Sequence, residues 1–260
     1  MASGLLPTLR ERIRRIERPA AAHGVLSSGI AAIDRALPGG GLMRGALHEI
    51  LGIGGDEEDG ALAAAFAAGI IGRLGAGGNV LWCLPRADLY GPGLAACGLD
   101  PGCLVLVRAA RDAEILWAME EGLRASGIAA VIGEVSALPP VTSRRLQLAA
   151  EGSGITAFLL RRWRNAEAAA RERNLPNAAA TRWRISALPS LLARGELGVG
   201  PPRWRVELLR CRGGGPGVWQ VLVEEGVVRH AADPLSVAEA LADRPLAPRG
   251  TAPSQFRHAG

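Results

Sequence analysis

Residues 46–62 read ALHEILGIGGDEEDGAL. The apolar run Ala46–Leu51 predicts a strand, and behind it Gly55 and Gly60 stand in the frame G-x-x-x-x-G-K-[ST] of a phosphate-binding loop. In such a loop backbone N–H groups cradle the phosphates, the lysine neutralises them and the hydroxyl holds magnesium. Here the lysine slot holds Ala61 and the hydroxyl slot holds Leu62. Between the glycines stand Asp56, Glu57, Glu58 and Asp59. Each carboxylate would repel a phosphate by about 1 kcal/mol at about 4 Å in water, and by more where burial lowers the dielectric. The spacing is that of a phosphate loop; the chemistry is not.

Outward from this stretch, strand-like and helix-like segments alternate. Ala61–Leu74 reads as an alanine-rich apolar helix, and Asn79–Leu84 (NVLWCL) and Leu104–Val107 as strands. Asp112–Ser126 has Ile115, Met119 and Leu123 in helical phase. Ala129–Val135 (AAVIGEV) and Ile155–Leu160 (ITAFLL) read as strands flanking a helix over Ser143–Glu151. Strands joined by crossover helices predict an α/β fold with a central, mostly parallel sheet wound right-handedly. Trp183–Ser186 and Arg203–Arg212 read as later strands, the second closed into a hairpin with Val218–Val223 by a turn over Gly213–Gly217.

Three regions follow. Residues 1–24 hold a basic amphipathic helix over 5–18, with Leu5, Leu9, Ile13 and Ile16 on one face; it either lies on the core or docks on a partner. Residues 25–230 form the core. Residues 231–260 form a tail, and from about residue 244 its Pro, Ala, Gly, Ser and Arg composition predicts disorder.

Composition narrows the function. Of 260 residues, 48% are hydrophobic and 21% charged, enough to bury one large core. No apolar stretch approaches the roughly 18 residues of a membrane span, and the N-terminus becomes charged before a signal-type run has formed, so a cytoplasmic protein is expected. Cys83, Cys97, Cys103 and Cys211 lack the paired spacing of a zinc site. All 30 basic residues are arginine. Every basic contact is therefore a guanidinium fork, and no lysine clamp or Schiff base exists. His48 and His230 have no triad partners in sequence, and Ser28, Ser126, Ser136 and Ser143 lack a nucleophile elbow, which leaves a hydrolase without support.

The order of segments resembles the RecA core and, within that superfamily, the ImuA family of damage-inducible mutagenesis proteins. Ser27-Ser28-Gly29-Ile30-Ala31-Ala32-Ile33-Asp34-Arg35-Ala36-Leu37-Pro38-Gly39-Gly40-Gly41-Leu42 is similar to the RecA-type lead-in, and Arg44–Ile50 to the first core strand. Asn79–Asp100 resembles the segment that ends in a Leu-Gly-apolar-Asp pattern, here Cys97-Gly98-Leu99-Asp100. Ile128–Leu138 (IAAVIGEVSAL) resembles the Walker B strand, with Glu134 in the acid's place. The resemblance spans roughly residues 25–230. It implies a RecA-like P-loop NTPase-type core whose Walker A is degenerate at Gly55, Gly60, Ala61 and Leu62. The catalytic glutamate expected after the second strand is replaced by Pro85-Arg86-Ala87-Asp88, with Asp88 displaced by about two positions. No nucleotide or magnesium cofactor is expected, and no catalytic residue is assigned.

From Arg161 the texture changes. Arg161, Arg162, Arg164, Arg171, Arg173, Arg182 and Arg184 face only Glu167 and Glu172. Arg162-Trp163-Arg164, Arg182-Trp183-Arg184 and Arg203-Trp204-Arg205 repeat one triplet. Guanidinium on phosphate and indole on an unpaired base would make Arg161, Arg162, Trp163, Arg164, Arg182, Trp183 and Arg184 a single-stranded DNA contact. The same pattern also fits a protein interface, or tryptophans buried between solvated charges.

By resemblance, the chain is expected to act as a non-catalytic accessory factor in SOS-induced translesion synthesis. Its expected partners are an ImuB-like Y-family polymerase homologue, an error-prone DNA polymerase III alpha-like subunit, RecA and single-stranded DNA, with no membrane. Two rivals stand beside it: a DNA-stimulated ATPase with a non-standard loop, and an SOS cell-division inhibitor.

Overall fold

The computed structural model describes residues 23–53, 56–74, 77–163, 165–172, 175–190, 198–224 and 227–230. The expected helix over 5–18 and the tail beyond 230 lie outside them. Two short strands, β1 (Val25–Leu26) and β2 (Leu42–Met43), pair antiparallel around helix α1 (Ala31–Ala36). Asp34 fixes this lead-in: its carboxylate accepts the Ser27 hydroxyl at 2.6 Å and the Ser28 N–H at 2.8 Å. The glycine run then turns the chain with positive φ at Gly39 (77°) and Gly40 (83°), a conformation that suits residues without a Cβ.

The main sheet contains β3 (Leu47–Leu51), β4 (Asn79–Leu84), β5 (Leu104–Arg108), β6 (Ile128–Val135), β7 (Thr156–Arg161), β8 (Thr181–Leu188), β9 (Arg203–Cys211), β10 (Gly217–Glu224) and β11 (Val227–His230). Their order is β11-β10-β9-β8-β3-β7-β6-β4-β5. Strands β8, β3, β7, β6, β4 and β5 run parallel, and β9 to β11 add an antiparallel extension. The helices are α2 (Asp56–Ile71), α3 (Gly91–Ala96), α4 (Asp112–Gly122), α5 (Pro140–Ser153) and α6 (Ala166–Glu172). The expected alternation of strands and crossover helices is present. The α/β reading holds, with a mostly parallel sheet flanked by helices.

Alternation along the strands sorts side chains onto two faces. Val80, Trp82, Leu84, Ile132, Phe158 and Leu160 pack with Phe66, Ile70 and Leu94 on one face. Leu81, Cys83, Val131, Val135, Ala157 and Leu159 pack with Ile115, Met119 and Leu146 on the other. Helices α2 and α3 thus cover one face and α4 and α5 the other, as right-handed crossovers require when the strand order reverses direction after β5. Burial on both faces explains the near-continuous apolar runs. It also raises the Cys83 thiol to about 12, consistent with an inert packing residue. No described helix is long and apolar enough to cross a membrane.

One boundary differs in a way that matters. The helix expected from Ala61 begins at Asp56, so residues 56–60 are helical and not a loop.

His48, wholly buried in β3, sits in an ordered hydrogen-bond chain. The Trp183 indole N–H donates to the Thr181 hydroxyl at 2.7 Å, and that hydroxyl lies 2.7 Å from His48 Nδ1. His48 Nε2 lies 2.8 Å from the Met43 carbonyl. The chain closes when Thr181 donates to Nδ1 and Nε2–H donates to Met43, which fixes the neutral tautomer. Burial lowers the His48 pKa from 6.5 to about 4, with the Met43 hydrogen bond opposing and Arg212 assisting. Between those values the unfolded chain binds more protons than the folded one, so stability is full above about pH 6.5 and falls as pH drops towards 4. Denaturant titrations across that window should show a loss on the order of 3 kcal/mol, absent in His48→Gln.

Candidate functional site

The carboxyl ends of β4, β6 and β7 converge, as the strand ends of open α/β sheets do where sites form. Glu134, near the end of β6, is fully buried. Its Oε1 accepts the Trp82 indole N–H at 2.7 Å, and its Oε2 accepts Arg162 Nη1 at 2.8 Å. Arg162, just past β7, turns its other arm to Asp88 Oδ2, also at 2.8 Å. One guanidinium therefore bridges the acid near the end of β6 and the acid after β4. A carboxylate that orients magnesium must offer an oxygen to the cleft. Both oxygens of Glu134 are instead held by N–H donors. Beside this bridge lies a cavity of about 550 Å³, with Arg86, Arg111, Ser136 and Arg162 in its wall. Asp112 fixes that wall by accepting the Ser136 and Ala137 N–H groups at 3.1 and 2.7 Å and the Ser136 hydroxyl at 2.7 Å.

Of the expected phosphate loop, the described part is the start of a helix. Because the helix starts at Asp56, the amides from Gly60 onward fall within the i→i−4 ladder and do not point at a ligand. Ala61 is exposed and Leu62 half-buried against the core. Gly55 lies outside the described residues. Ala61 instead lines an apolar cavity of about 360 Å³ with Ala64, Leu89, Tyr90 and Leu94, and Arg162 forms part of its wall.

A second buried carboxylate organises the neighbouring strands. Glu49 interrupts the apolar run of β3 and is about 1% exposed. It accepts Arg161 Nη1 at 3.3 Å, Asn177 Nδ2 at 2.8 Å and the Nε of Arg182. Arg161 also donates to the Ser136 carbonyl at 2.7 Å and lies 5.4 Å from the Trp163 ring centroid, a cation–π contact. The Trp163 indole donates to that same carbonyl at 3.1 Å.

The residues considered for DNA contact are thus placed as follows. Arg161 and Arg182 share Glu49, Arg162 bridges Glu134 and Asp88, and Trp163 and Trp183 are buried. Trp183 packs 5.7 Å from Phe66 and 6.3 Å from Trp219, centroid to centroid. Arg184 pairs with Glu207, and its hydrogen bond holds that carboxyl below its ordinary pKa. Arg164 lies outside the described residues. Base stacking needs an indole face at the surface; Trp163, Trp183 and Trp204 turn theirs into the core. Sequence reasoning overlooked Glu49, although a lone charge inside LHEIL signals a buried partner. It also missed Trp82 and Asn177, whose roles depend on strands distant in sequence.

No family model matches the chain. It is similar to Protein ImuA of Caulobacter vibrioides, in two strains, at 42% identity over 227 residues; the match covers 86% of this chain and 92% of that protein.

Removing Arg162 leaves Glu134 buried without its guanidinium. Arg162→Ala should lower unfolding free energy by about 3 kcal/mol in urea titrations, and pairing Arg162→Met with Glu134→Gln should restore most of it. Trp183→Ala should cost about 3–5 kcal/mol by the same measurement, as expected of a core tryptophan.

Proposed function

The chain belongs to the ImuA family, and on that premise we propose that it is a non-catalytic accessory factor of damage-inducible mutagenesis. In this reading a RecA-like core serves as a scaffold in SOS-induced translesion synthesis. It joins an ImuB-like Y-family polymerase homologue and an error-prone DNA polymerase III alpha-like subunit. The RecA-like assignment is supported by the parallel sheet, by the lead-in held on Asp34 and by the acid at the end of β6.

One observation carries the non-catalytic part. Arg162 sits between Glu134 and Asp88, where a nucleotide-hydrolysing site of this kind would need a metal and an activated water. The residues Ala61 and Leu62 support the same reading, since they provide neither lysine nor hydroxyl. The burial of Trp163 and Trp183 supports core packing over base stacking as the role of these tryptophans.

Purified protein is expected to give no saturable signal with a fluorescent ATP analogue and no phosphate release at millimolar ATP, with or without single-stranded DNA. Hydrolysis that disappears in Glu134→Gln would overturn the scaffold reading. In cells, affinity purification after DNA damage should recover the Y-family homologue; its absence from damaged and undamaged extracts alike would remove the partner assignment.

A further inference from the structure

The start of β8 and the end of β9 meet at the amino ends of the parallel strands, the end of the sheet opposite the Glu134–Arg162 bridge. Here Arg182 and Arg210 stand directly across from one another in the antiparallel ladder. Like charges so placed repel. Arg182 is answered by Glu49, which also serves Arg161. Arg210 is half-buried and forms no ion pair among the described residues; its hydrogen bonds go to neutral oxygens only. Nη1 donates to the Asn177 carbonyl at 2.9 Å, and Nη2 to the Asn177 side-chain oxygen at 2.9 Å and the Ala179 carbonyl at 2.7 Å. Arg212, just past the strand, donates Nη2 to the Ala178 carbonyl and Nη1 to Glu151 Oε1, both at 3.1 Å. The carbonyls of three consecutive residues are thus held by two guanidinium groups, which fixes both side chains on one wall.

That wall belongs to a cavity of about 620 Å³ formed by residues 177–180 and 210–214, with no acid among them. A guanidinium has five N–H donors, so both Arg210 and Arg212 retain donors beyond those already used. Burial and then the Arg182 charge hold the Arg210 pKa below its ordinary value, while Glu49 opposes them and Arg212 adds to them. Carbonyl oxygens satisfy N–H groups but supply no counter-charge. Two guanidinium groups against the one carboxylate of Glu151, itself 41% exposed, leave an excess of one positive charge. A second carboxylate matches that excess, with one negative charge and two oxygens able to accept from both arginines.

We propose that this cavity is a docking site for an acidic segment of a partner protein, one carboxylate of which is held between Arg210 and Arg212. The ties to residues 177–179 set both guanidinium groups in place before the partner arrives, so little side-chain freedom is lost on docking. The inference uses no residue of the Glu134–Arg162 bridge, and its failure would leave the non-catalytic reading as it stands.

The test is fluorescence anisotropy of a labelled oligoglutamate peptide titrated with the full chain, beside an oligoglutamine peptide of the same length. The oligoglutamate should bind saturably at low ionic strength and weaken as chloride is added, and the oligoglutamine should not bind. Arg210→Met should weaken binding about tenfold. Arg108→Met, which removes the same charge from an exposed position on the border strand β5, should bind as the wild type does. Because Arg210 also ties down Asn177 and Ala179, Ala178→Asp provides an arm that keeps both arginines and adds a competing carboxylate to the cavity wall; it should abolish binding. An oligoglutamate that does not bind, an oligoglutamine that binds equally, or binding that survives either cavity variant in protein still folded by circular dichroism would each overturn the proposal. So would equal weakening in Arg108→Met, which would reduce the effect to net charge. A single-stranded oligonucleotide that binds in the peptide's place with the same dependence on Arg210 would overturn the acidic-segment assignment in favour of phosphate.

Discussion

A carboxylate buried in a sheet cannot remain charged without a cation beside it, and this constraint bears hardest on the two most deeply buried acids of the sheet. Glu49 and Glu134 occupy β3 and β6 and are almost entirely shielded from water. Isolated, each would carry a desolvation penalty of several kcal/mol. Their guanidinium partners come from β7, the residue after it, and β8. The strand order makes this exchange available, because β7 stands between β3 and β6 and β8 borders β3 on its other side. The arginine-rich segment is therefore the counter-charge of the sheet's own acids.

Several features of the fold follow from that pairing. Arg161 must lie in β7 to reach Glu49, and its other arm holds the Ser136 carbonyl, the same group that anchors the Trp163 indole. Arg182 reaches Glu49 from β8 and ties down the Leu175 carbonyl in the segment that leads to that strand. Arg162 connects the end of β6 to the turn after β4 through Asp88. With no lysine in the chain, each link is a planar fork with several donors, able to hold two acceptors at once. The carboxyl edge is fixed by these forks.

The sheet was largely legible in the residues. Buried parallel strands must be apolar on both faces, so NVLWCL, AAVIGEV and ITAFLL declare themselves with boundaries within a residue or so of those observed. The phosphate-loop frame left the local structure open, because two glycines five positions apart do not fix the backbone between them. The structure continues the helix through that interval from Asp56. The direction in which the Arg-Trp triplets face was not legible either. Alternation states that Trp183 and its arginine neighbours point to opposite sides, but not which side is covered. That depends on Phe66 from α2 and on Trp219 from β10, contacts a linear pattern does not encode.

A site that handles nucleotide and metal has to exchange its ligands, so its acid must alternate between partners of comparable strength. Glu134 has no such freedom. Its oxygens are shared between an indole N–H and a guanidinium in a buried setting where neither partner competes with bulk water. To recruit a metal, the carboxylate would have to release Arg162, a cation itself only 13% exposed, and so open the bridge from β6 to Asp88. In the scaffold reading proposed above, the lack of phosphate chemistry thus rests on more than the absence of a lysine and a hydroxyl at residues 61 and 62. The end of β6 is closed by an internal ion-pair bridge, and placing a lysine and a hydroxyl at residues 61 and 62 alone would leave that bridge, and the helical start at Asp56, in place.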